Sequence, residues 1–486
     1  MVYVQYSKRV TRARGLALTF LFGALITATA SAVRADAGAT DLDSVWRFVA
    51  PVSAPRAGPA SVVVGDRWFV GFGSAPDPDP PPASVEVYEP SSGRWQTLPA
   101  LMAGRNELAA AADPVTGAVL FAGGKVVGGF VGLATAEADL FDGTSWSLST
   151  LLTPRFWSAA AFAAGKFVVS GGSALNRDLD DAEILDVGTS TWNPAGVMPG
   201  GPRYDLTMTT LSDGRTVLAV GGGSGGVPQA SADLFDAATL AWRATSPMKT
   251  ARVGHAALLL KHGEVMVTGG ITSGGTPVLS SAEIYAPASG GWSSAAPMHS
   301  ARFDHSMVLL PDGRVLVAGG SNDGVNAYSS ALSSVEIYDP VIDTWTDAPS
   351  LQTPRLLHKA AVLSDGVYVT AGANGTAMPA PGPRPGVIET TQVLSSTERL
   401  VFVVTAASDA GAPSQDGSGN SDVVTTADAA GQAASSGGCS CRVASARETG
   451  QWEPTTALLL AIAFVRRRRA KCERARSIGA PRGHDQ

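Results

Sequence analysis

Cysteine is nearly absent from this chain of 486 residues: there are three, and none lies before residue 439. Disulfide bonds therefore cannot staple the main body of the chain together. A chain of this length can bury a large hydrophobic core, which makes such staples unnecessary. A zinc site needs about four ligands, and only Cys472 and His484 lie near the first two cysteines in the tail, so we do not expect one there.

Lysine is also scarce, with 7 residues against 29 arginines. The formal net charge is −6, and the basic residues are spread along the chain without forming a stripe. Nucleic-acid binding therefore has no electrostatic support. Recognisable catalytic motifs are missing as well. Glycine pairs occur, but no Lys-Ser/Thr or helical pattern follows them, which argues against a phosphate loop.

Tryptophan and arginine, by contrast, recur in a regular series. Each of seven tryptophans is followed after 9 to 11 residues by an arginine, and the tryptophans are spaced 46 to 53 residues apart. A period near ~50 predicts radial repetition of a four-stranded unit, which is a β-propeller. The pairs are Trp46/Arg56, Trp95/Arg105, Trp146/Arg155, Trp192/Arg203, Trp242/Arg252, Trp292/Arg302 and Trp345/Arg355.

One repeat unit, 302–345, shows how the strands follow one another. After Arg302 and His305 comes the apolar run 307–310, a Pro-Asp-Gly turn, a second run at 315–318, and a glycine pair. The segment 335–340 predicts a third strand and the stretch around Trp345 a fourth. This order of Arg-x-x-His, apolar strand, Gly-Gly, Glu-x-Tyr-Asp-Pro and Trp resembles the kelch motif. The resemblance covers residues ~44–402 and implies a kelch-type β-propeller.

The two ends of the repeat region predict the number of blades. Trp46 belongs to a fourth strand without its first three, whereas Arg355, Gly372 and Glu398 mark three strands without a fourth. Joining them completes a seventh blade and removes exposed sheet edges. We therefore expect a seven-bladed propeller over 36–402, closed by pairing of the N- and C-terminal strands, with six blades as the alternative.

The segments outside the repeats predict export. Residues 1–35 combine a basic start, an apolar run and a small-residue cleavage site, as in a signal peptide, with an uncleaved membrane anchor as the alternative. Residues 403–438 are rich in Ala, Ser and Gly and predict a disordered spacer. Residues 439–469 hold a cysteine motif, an apolar stretch and an arginine block, and a polar extension follows at 470–486.

This arrangement of the tail resembles the myxobacterial C-terminal sorting signal. The resemblance implies processing near the cysteines, membrane association through this segment, and display on the outer surface of the cell envelope or secretion. The residues concerned are Cys439, Cys441, Arg466, Arg467, Arg468 and Arg469.

The face that carries the 2–3 and 4–1 loops is the expected binding surface, because strands in a blade alternate direction and these loops open together. Its candidate binding residues are Arg252, His255, Arg302, His305, Arg355 and His358. The histidines could instead pack and hydrogen-bond between blades, or share a metal ion. The arginines could pair internally with acidic or carbonyl groups, or recognise an anionic sugar or carboxylate.

These observations favour a monomeric binding protein that recognises a protein or a glycan, without catalysis, cofactor or metal. The alternatives are a carbohydrate-active enzyme that uses the axial channel, and a structural envelope component. Galactose oxidase also uses a seven-bladed kelch propeller, but its copper site needs a cysteine cross-linked to a tyrosine. The predicted propeller has no cysteine, which excludes that chemistry in its known form.

Overall fold

The computed structural model describes residues 44–402, apart from 77–78, 80, 99–103, 127–132, 274–276 and 380–386. The predicted signal peptide, spacer, sorting signal and polar extension lie outside the described residues. So do Cys439, Cys441 and the arginines 466–469. In the described part, all the secondary-structure elements longer than a single turn are β-strands. That part contains no helix that is long and apolar enough to cross a bilayer.

The described residues form seven four-stranded antiparallel sheets, which we number in chain order. Their strands, in order of pairing, are Ala60–Val64, Arg67–Gly71, Val85–Glu89 and Arg94–Leu98 in sheet 1; Ala109–Ala112, Val119–Ala122, Glu137–Phe141 and Trp146–Thr150 in sheet 2; Ala159–Ala163, Lys166–Ser170, Asp181–Asp186 and Thr191–Val197 in sheet 3; Thr207–Thr210, Thr216–Val220, Ala232–Asp236 and Ala241–Ala244 in sheet 4; Ala256–Leu259, Val265–Thr268, Ala282–Ala286 and Gly291–Ala295 in sheet 5; Ser306–Leu309, Val315–Ala318, Val335–Asp339 and Thr344–Ala348 in sheet 6; and Lys359–Leu363, Gly366–Thr370, Thr397–Phe402 and Ser44–Val49 in sheet 7.

Sheet 7 takes strands from both ends of the described chain. Ser44–Val49 pairs with Thr397–Phe402 over its whole length, from Ser44 opposite Phe402 to Val49 opposite Thr397. Trp46 is completely buried, and its Nε1 donates a hydrogen bond to the Pro349 carbonyl at 2.8 Å. The indole is therefore part of the core between sheets 6 and 7.

The first strands of the seven sheets contact one another in sequence, and Lys359–Leu363 of sheet 7 contacts Ala60–Val64 of sheet 1. Outside them, the apolar second strands are almost completely buried, as in Val315–Ala318. They are buried because neighbouring sheets pack face to face: Leu316 of sheet 6 lies in one cluster with Val369 of sheet 7. The all-β prediction is confirmed.

Additional strands lie in the loops between second and third strands, and one lies just before sheet 2. They are Arg105–Asn106, Lys125–Val126 and Leu133–Ala134; Ser173–Ala174 with Arg177–Asp178; Gly223–Ser224 with Val227–Pro228; and Ala373–Pro379 with Val387–Val393. Arg105–Asn106 itself precedes sheet 2 and joins Lys125–Val126. Ala373–Pro379 and Val387–Val393 pair as a long β-hairpin.

Candidate functional site

The seven repeated arginines are fully buried, and each forms an ion pair with an acidic residue on the third strand of its own sheet. The pairs are Arg56–Glu86, Arg105–Asp139, Arg155–Glu183, Arg203–Asp233, Arg252–Glu283, Arg302–Glu336 and Arg355–Glu398.

Arg302 illustrates what these ion pairs do. Its Nη1 donates to the Gly319 carbonyl at 2.7 Å, and its Nη2 lies 2.5 Å from Glu336 Oε1. Glu336 also accepts hydrogen bonds from the backbone N–H groups of His299 and Ser300. Burial lowers the pKa of Arg302, and Glu336 counteracts that shift. The guanidinium thus joins three segments of one sheet, and Arg252 and Arg355 make equivalent contacts.

The three candidate histidines each bridge to the preceding sheet. His255 Nε2 lies 3.0 Å from Thr207 Oγ1. His305 Nε2 lies 2.8 Å from Thr268 Oγ1. Burial, reinforced by nearby arginines, lowers the pKa of both imidazoles, so they are neutral at pH 7.

His358 follows the same pattern, with its Nε2 2.7 Å from Ser306 Oγ and its pKa lowered by burial. The described residues do not bring the three histidines together as ligands of one ion. Their one metal-competent group is His299, Glu336 and Asp347, and Glu336 is already paired with Arg302.

Two residues after each repeated arginine, the backbone turns into the left-handed conformation. The φ angles lie between 51° and 66°, a region that residues other than glycine rarely adopt. We call these seven residues the mouth ring: Gly58, Glu107, Trp157, Asp205, Gly254, Asp304 and Leu357.

Hydrogen bonds connect the mouth ring from sheet to sheet. Four ring members donate their backbone N–H to the carbonyl oxygen of the preceding ring member, with N–O distances of 2.8 to 3.0 Å. The donors are Trp157, Asp205, Asp304 and Leu357. Gly58 donates to the Leu357 carbonyl at 2.8 Å, which links sheet 1 to sheet 7. The Gly254 N–H instead donates to the carboxylate of Asp205 at 3.1 Å.

The mouth ring borders a cavity of about 450 Å³, here called the channel mouth, whose lining comes from sheets 1, 2, 3, 4, 6 and 7 and the adjoining loops. Four charged side chains line it, and they are Glu107, Asp205, Asp304 and Lys359. The volume lies within the range of small-ligand pockets, which combine apolar walls with a few convergent polar groups.

Electrostatics distinguish these four groups from the buried arginine pairs. The pKa of Asp304 is raised to about 7, mainly by burial and also by the charge of Asp205, while Lys359 counteracts the shift. Burial likewise raises the pKa of Asp205 and of Glu107 and lowers that of Lys359. The side chain of Asp205 is exposed to solvent, as expected where it faces an open cavity, while the protein around it still reduces the hydration of the carboxylate.

The side chains of Glu107, Asp304 and Lys359 form no hydrogen bond and no ion pair within 4.0 Å to any other described residue. Partly buried charges without partners are costly in a purely structural position. Their convergence on one cavity therefore marks the channel mouth as a candidate functional site.

Aromatic side chains complete one wall of the channel mouth. Trp157 is 39% exposed, and its ring lies 5.5 Å from the ring of Tyr204. Phe156 contacts the indole edge-to-face, with ring centroids 5.0 Å apart. The stacking holds a large, partly open aromatic surface beside the charged residues.

Comparison with known proteins agrees with this architecture. Residues 308–352 match the Kelch motif. Kelch-like protein 33 from Homo sapiens is 46% identical over 46 residues, and Kelch-like protein 7 from Rattus norvegicus is 38% identical over 52 residues. These findings support a kelch-repeat protein. The matches span 10% and 11% of this chain, and the chain covers only 9% of the length of either relative.

A solved structure titled "Structure of YjhT" is similar to this chain in fold. The TM-score is 0.50 and the sequence identity 13%, and the match covers 61% of this chain and 99% of that one. Together with the sheets described above, this similarity supports a β-propeller.

Sequence reasoning named the buried arginines and histidines as candidate binding residues, but it did not single out the charged groups of the channel mouth. The available signal was the position two residues after each repeated arginine, which holds Glu107, Asp205 and Asp304 in three of the repeats. Because this position also holds glycine, tryptophan and leucine, no single residue type prevails at it across the repeats.

Proposed function

We propose that this chain is an exported, surface-displayed binding protein whose kelch repeats form a seven-bladed propeller, and that it recognises a protein or glycan without catalysing a reaction. Seven four-stranded sheets support the number of blades. Pairing between Ser44–Val49 and Thr397–Phe402, and the Gly58–Leu357 link in the mouth ring, support closure.

One observation carries the binding role: charged side chains without internal partners meet an exposed aromatic ring at the channel mouth. The channel mouth lies on the face of the 2–3 and 4–1 loops, since its lining includes Ser74 and Tyr328 from 2–3 loops. Each mouth-ring residue follows a buried arginine by two positions. The ion pairs of Arg252, Arg302 and Arg355 would therefore hold the adjoining parts of the mouth ring in place. Exposed aromatic residues at the centre of an interface frequently carry much of the binding energy.

A comparison of two variants tests this role. In a glycan array and a protein pull-down with the full chain, Trp157→Ala should weaken binding about 30-fold, the effect of removing a strong aromatic anchor. Leu148→Ala is the control, because Leu148 is 52% exposed on the outer strand of sheet 2. Equal binding by both variants would remove the channel mouth from the proposed function.

Export and surface display rest on the sequence of the two terminal segments. Cells that express the full chain should show it accessible to external protease. Substituting both Cys439→Ala and Cys441→Ala should abolish retention on the envelope. If the chain stays inside the cell, the proposal of export fails while the binding role is unaffected.

A carbohydrate-active enzyme is the second candidate, and the channel mouth contains an observation in its favour. Asp205 and Asp304 face the same cavity and both have raised pKa values, as a general acid requires. Turnover of chromogenic glycosides that is lost in Asp304→Asn would support this candidate. Absence of turnover across a broad glycoside panel would leave binding alone.

A further inference from the structure

We propose that the channel mouth accepts a cationic side chain, a lysine or an arginine, from a protein ligand. The subsite is the wall formed by Asn106, Glu107, Trp157 and Ser158, which we call the cation wall. This inference rests on the proposed binding function and names the chemistry of its ligand.

Charge is the first argument. Three carboxylates and one ammonium line the channel mouth, so negative charge predominates. Lys359 acts electrostatically on Asp205 and Asp304, whereas it is not among the groups that act on Glu107. Glu107 is influenced by Lys125, but the two form no ion pair within 4.0 Å. The Lys125 ammonium lies over the ring of Phe156 instead, 5.6 Å from its centroid.

Unsatisfied hydrogen-bonding atoms are the second and independent argument. Asn106 Oδ1, Glu107 Oε2 and Ser158 Oγ are all buried without a partner among the described residues. Asn106 Nδ2 donates to Ser74 Oγ at 2.9 Å, which fixes the orientation of the amide and leaves its oxygen without a partner. Unpaired buried polar atoms are costly, so three of them in one wall favour a site that a ligand completes.

The kind of missing group follows from the donor and acceptor inventory. A carboxylate and an amide oxygen can only accept hydrogen bonds, so the ligand must supply donors. An ammonium offers three donors and a guanidinium five, and neither has an acceptor. A sugar hydroxyl supplies only a single proton, so it satisfies the carboxylate and the amide oxygen less fully than a cation does.

The indole adds a surface that a cation can use. Trp157 donates its backbone N–H to the Glu107 carbonyl at 3.0 Å, so the aromatic residue and the carboxylate residue are neighbours in the mouth ring. A cation within about 6 Å of an indole face is attracted by the ring, and the attraction increases when water is excluded. The same group could therefore contact Glu107 and Trp157 at once.

The test uses the full chain and three probes: N-acetyl-arginine amide, N-acetyl-lysine amide and N-acetyl-citrulline amide, which has the shape of the arginine probe without its charge. Titration calorimetry or ligand-observed NMR should show at least one cationic probe binding about 10-fold or more tightly than citrulline. Its affinity should fall as salt is added.

Variants locate the effect. Glu107→Gln should weaken the cationic probe about 10-fold or more without affecting citrulline, and Asn106→Asp should strengthen it, because a second carboxylate then faces the ligand. Glu264→Gln is the control, since Glu264 follows the first strand of sheet 5 on the opposite face. Asn106→Asp keeps the test decisive even where Glu107→Gln lowers stability.

Equal affinities for citrulline and the cationic probes, or no response to Glu107→Gln and Asn106→Asp, would overturn the inference. If a glycan or protein then still bound and lost affinity in Trp157→Ala, the binding function would stand with a different ligand chemistry. If neither the probes nor the arrays showed binding, both the inference and the proposed function would fail.

Discussion

At the scale of single residues, charges only two positions apart have opposite surroundings. Arg302 is completely buried and its guanidinium is surrounded by acceptors, whereas Asp304 faces the channel mouth without a hydrogen bond to a described residue. The repeat makes the arginine visible in the sequence because every sheet needs it. Asp304 has no structural role that recurs in every sheet, so the spacing of the repeats does not predict that it is a functional residue.

The buried ion pair in sheet 6 should contribute far more to stability than an exposed one in the same sheet. Arg302→Ala leaves the Glu336 carboxylate buried without its cation, and we expect the free energy of unfolding to fall by about 3–5 kcal/mol. Arg314→Ala breaks a pair with Asp312 in which both side chains are about half exposed, so the loss should stay below about 1 kcal/mol.

Urea denaturation at pH 7 measures both losses. Similar losses in the two variants would contradict the structural role of the buried Arg302–Glu336 pair.

The raised pKa of Asp304 predicts a pH-dependent stability. The folded state holds this proton up to a pH of about 7, whereas the unfolded chain releases it near ~3.9. Between these values the unfolded state binds fewer protons, so this group lowers the free energy of unfolding as the pH rises. Asp304→Asn should therefore stabilise the protein relative to wild type at pH 8 but much less at pH 4.

Denaturation curves for both proteins between pH 4 and pH 8 check this. A constant difference across that range would show that the carboxylate titrates normally.

At the scale of elements, the strands are well encoded in the sequence and one loop is not. The run predicted at 315–318 is the strand Val315–Ala318, because a second strand buried on both sides needs apolar residues throughout. The hairpin of Ala373–Pro379 and Val387–Val393 was not predicted. Its sequence is rich in proline and glycine and lacks the alternation that a half-buried strand requires.

The glycine pairs after the second strands are needed for close packing as well as for their backbone conformation. A Cβ at Gly269 would lie 2.2 Å from the Arg302 carbonyl oxygen and 2.8 Å from His305 Cε1. Gly214 has a similar φ of 66°, against 63° for Gly269, but open space around it. Gly214→Ala should cost about 1 kcal/mol from backbone strain, and Gly269→Ala about 2 kcal/mol more.

Thermal or urea unfolding of the two variants separates strain from packing. Equal losses would mean that only the left-handed backbone matters at Gly269.

At the scale of the whole molecule, the account depends on the chain closing on itself. The sequence predicted this from its ends, since Trp46 has no first three strands and Glu398 has no fourth. In the structure these segments pair directly, and Glu398 also forms the ion pair with Arg355. The ligand face could be predicted only in outline, because which side chains converge there depends on how separate sheets are placed around the cavity.

A cross-link between the two terminal strands tests closure most directly. Val45 lies opposite Val401, and such partners have Cα atoms about 4.5–5.5 Å apart, within the range of a disulfide. The variant Val45→Cys/Val401→Cys is made in the full chain with its three natural cysteines changed to serine. The control pairs Val45→Cys with Val115→Cys, in the distant sheet 2.

Under mild oxidation, peptide mass spectrometry should find the 45–401 disulfide in most molecules and little cross-linking in the control. Failure to form the 45–401 disulfide, or its formation only between separate chains, would contradict a propeller closed by its own terminal strands.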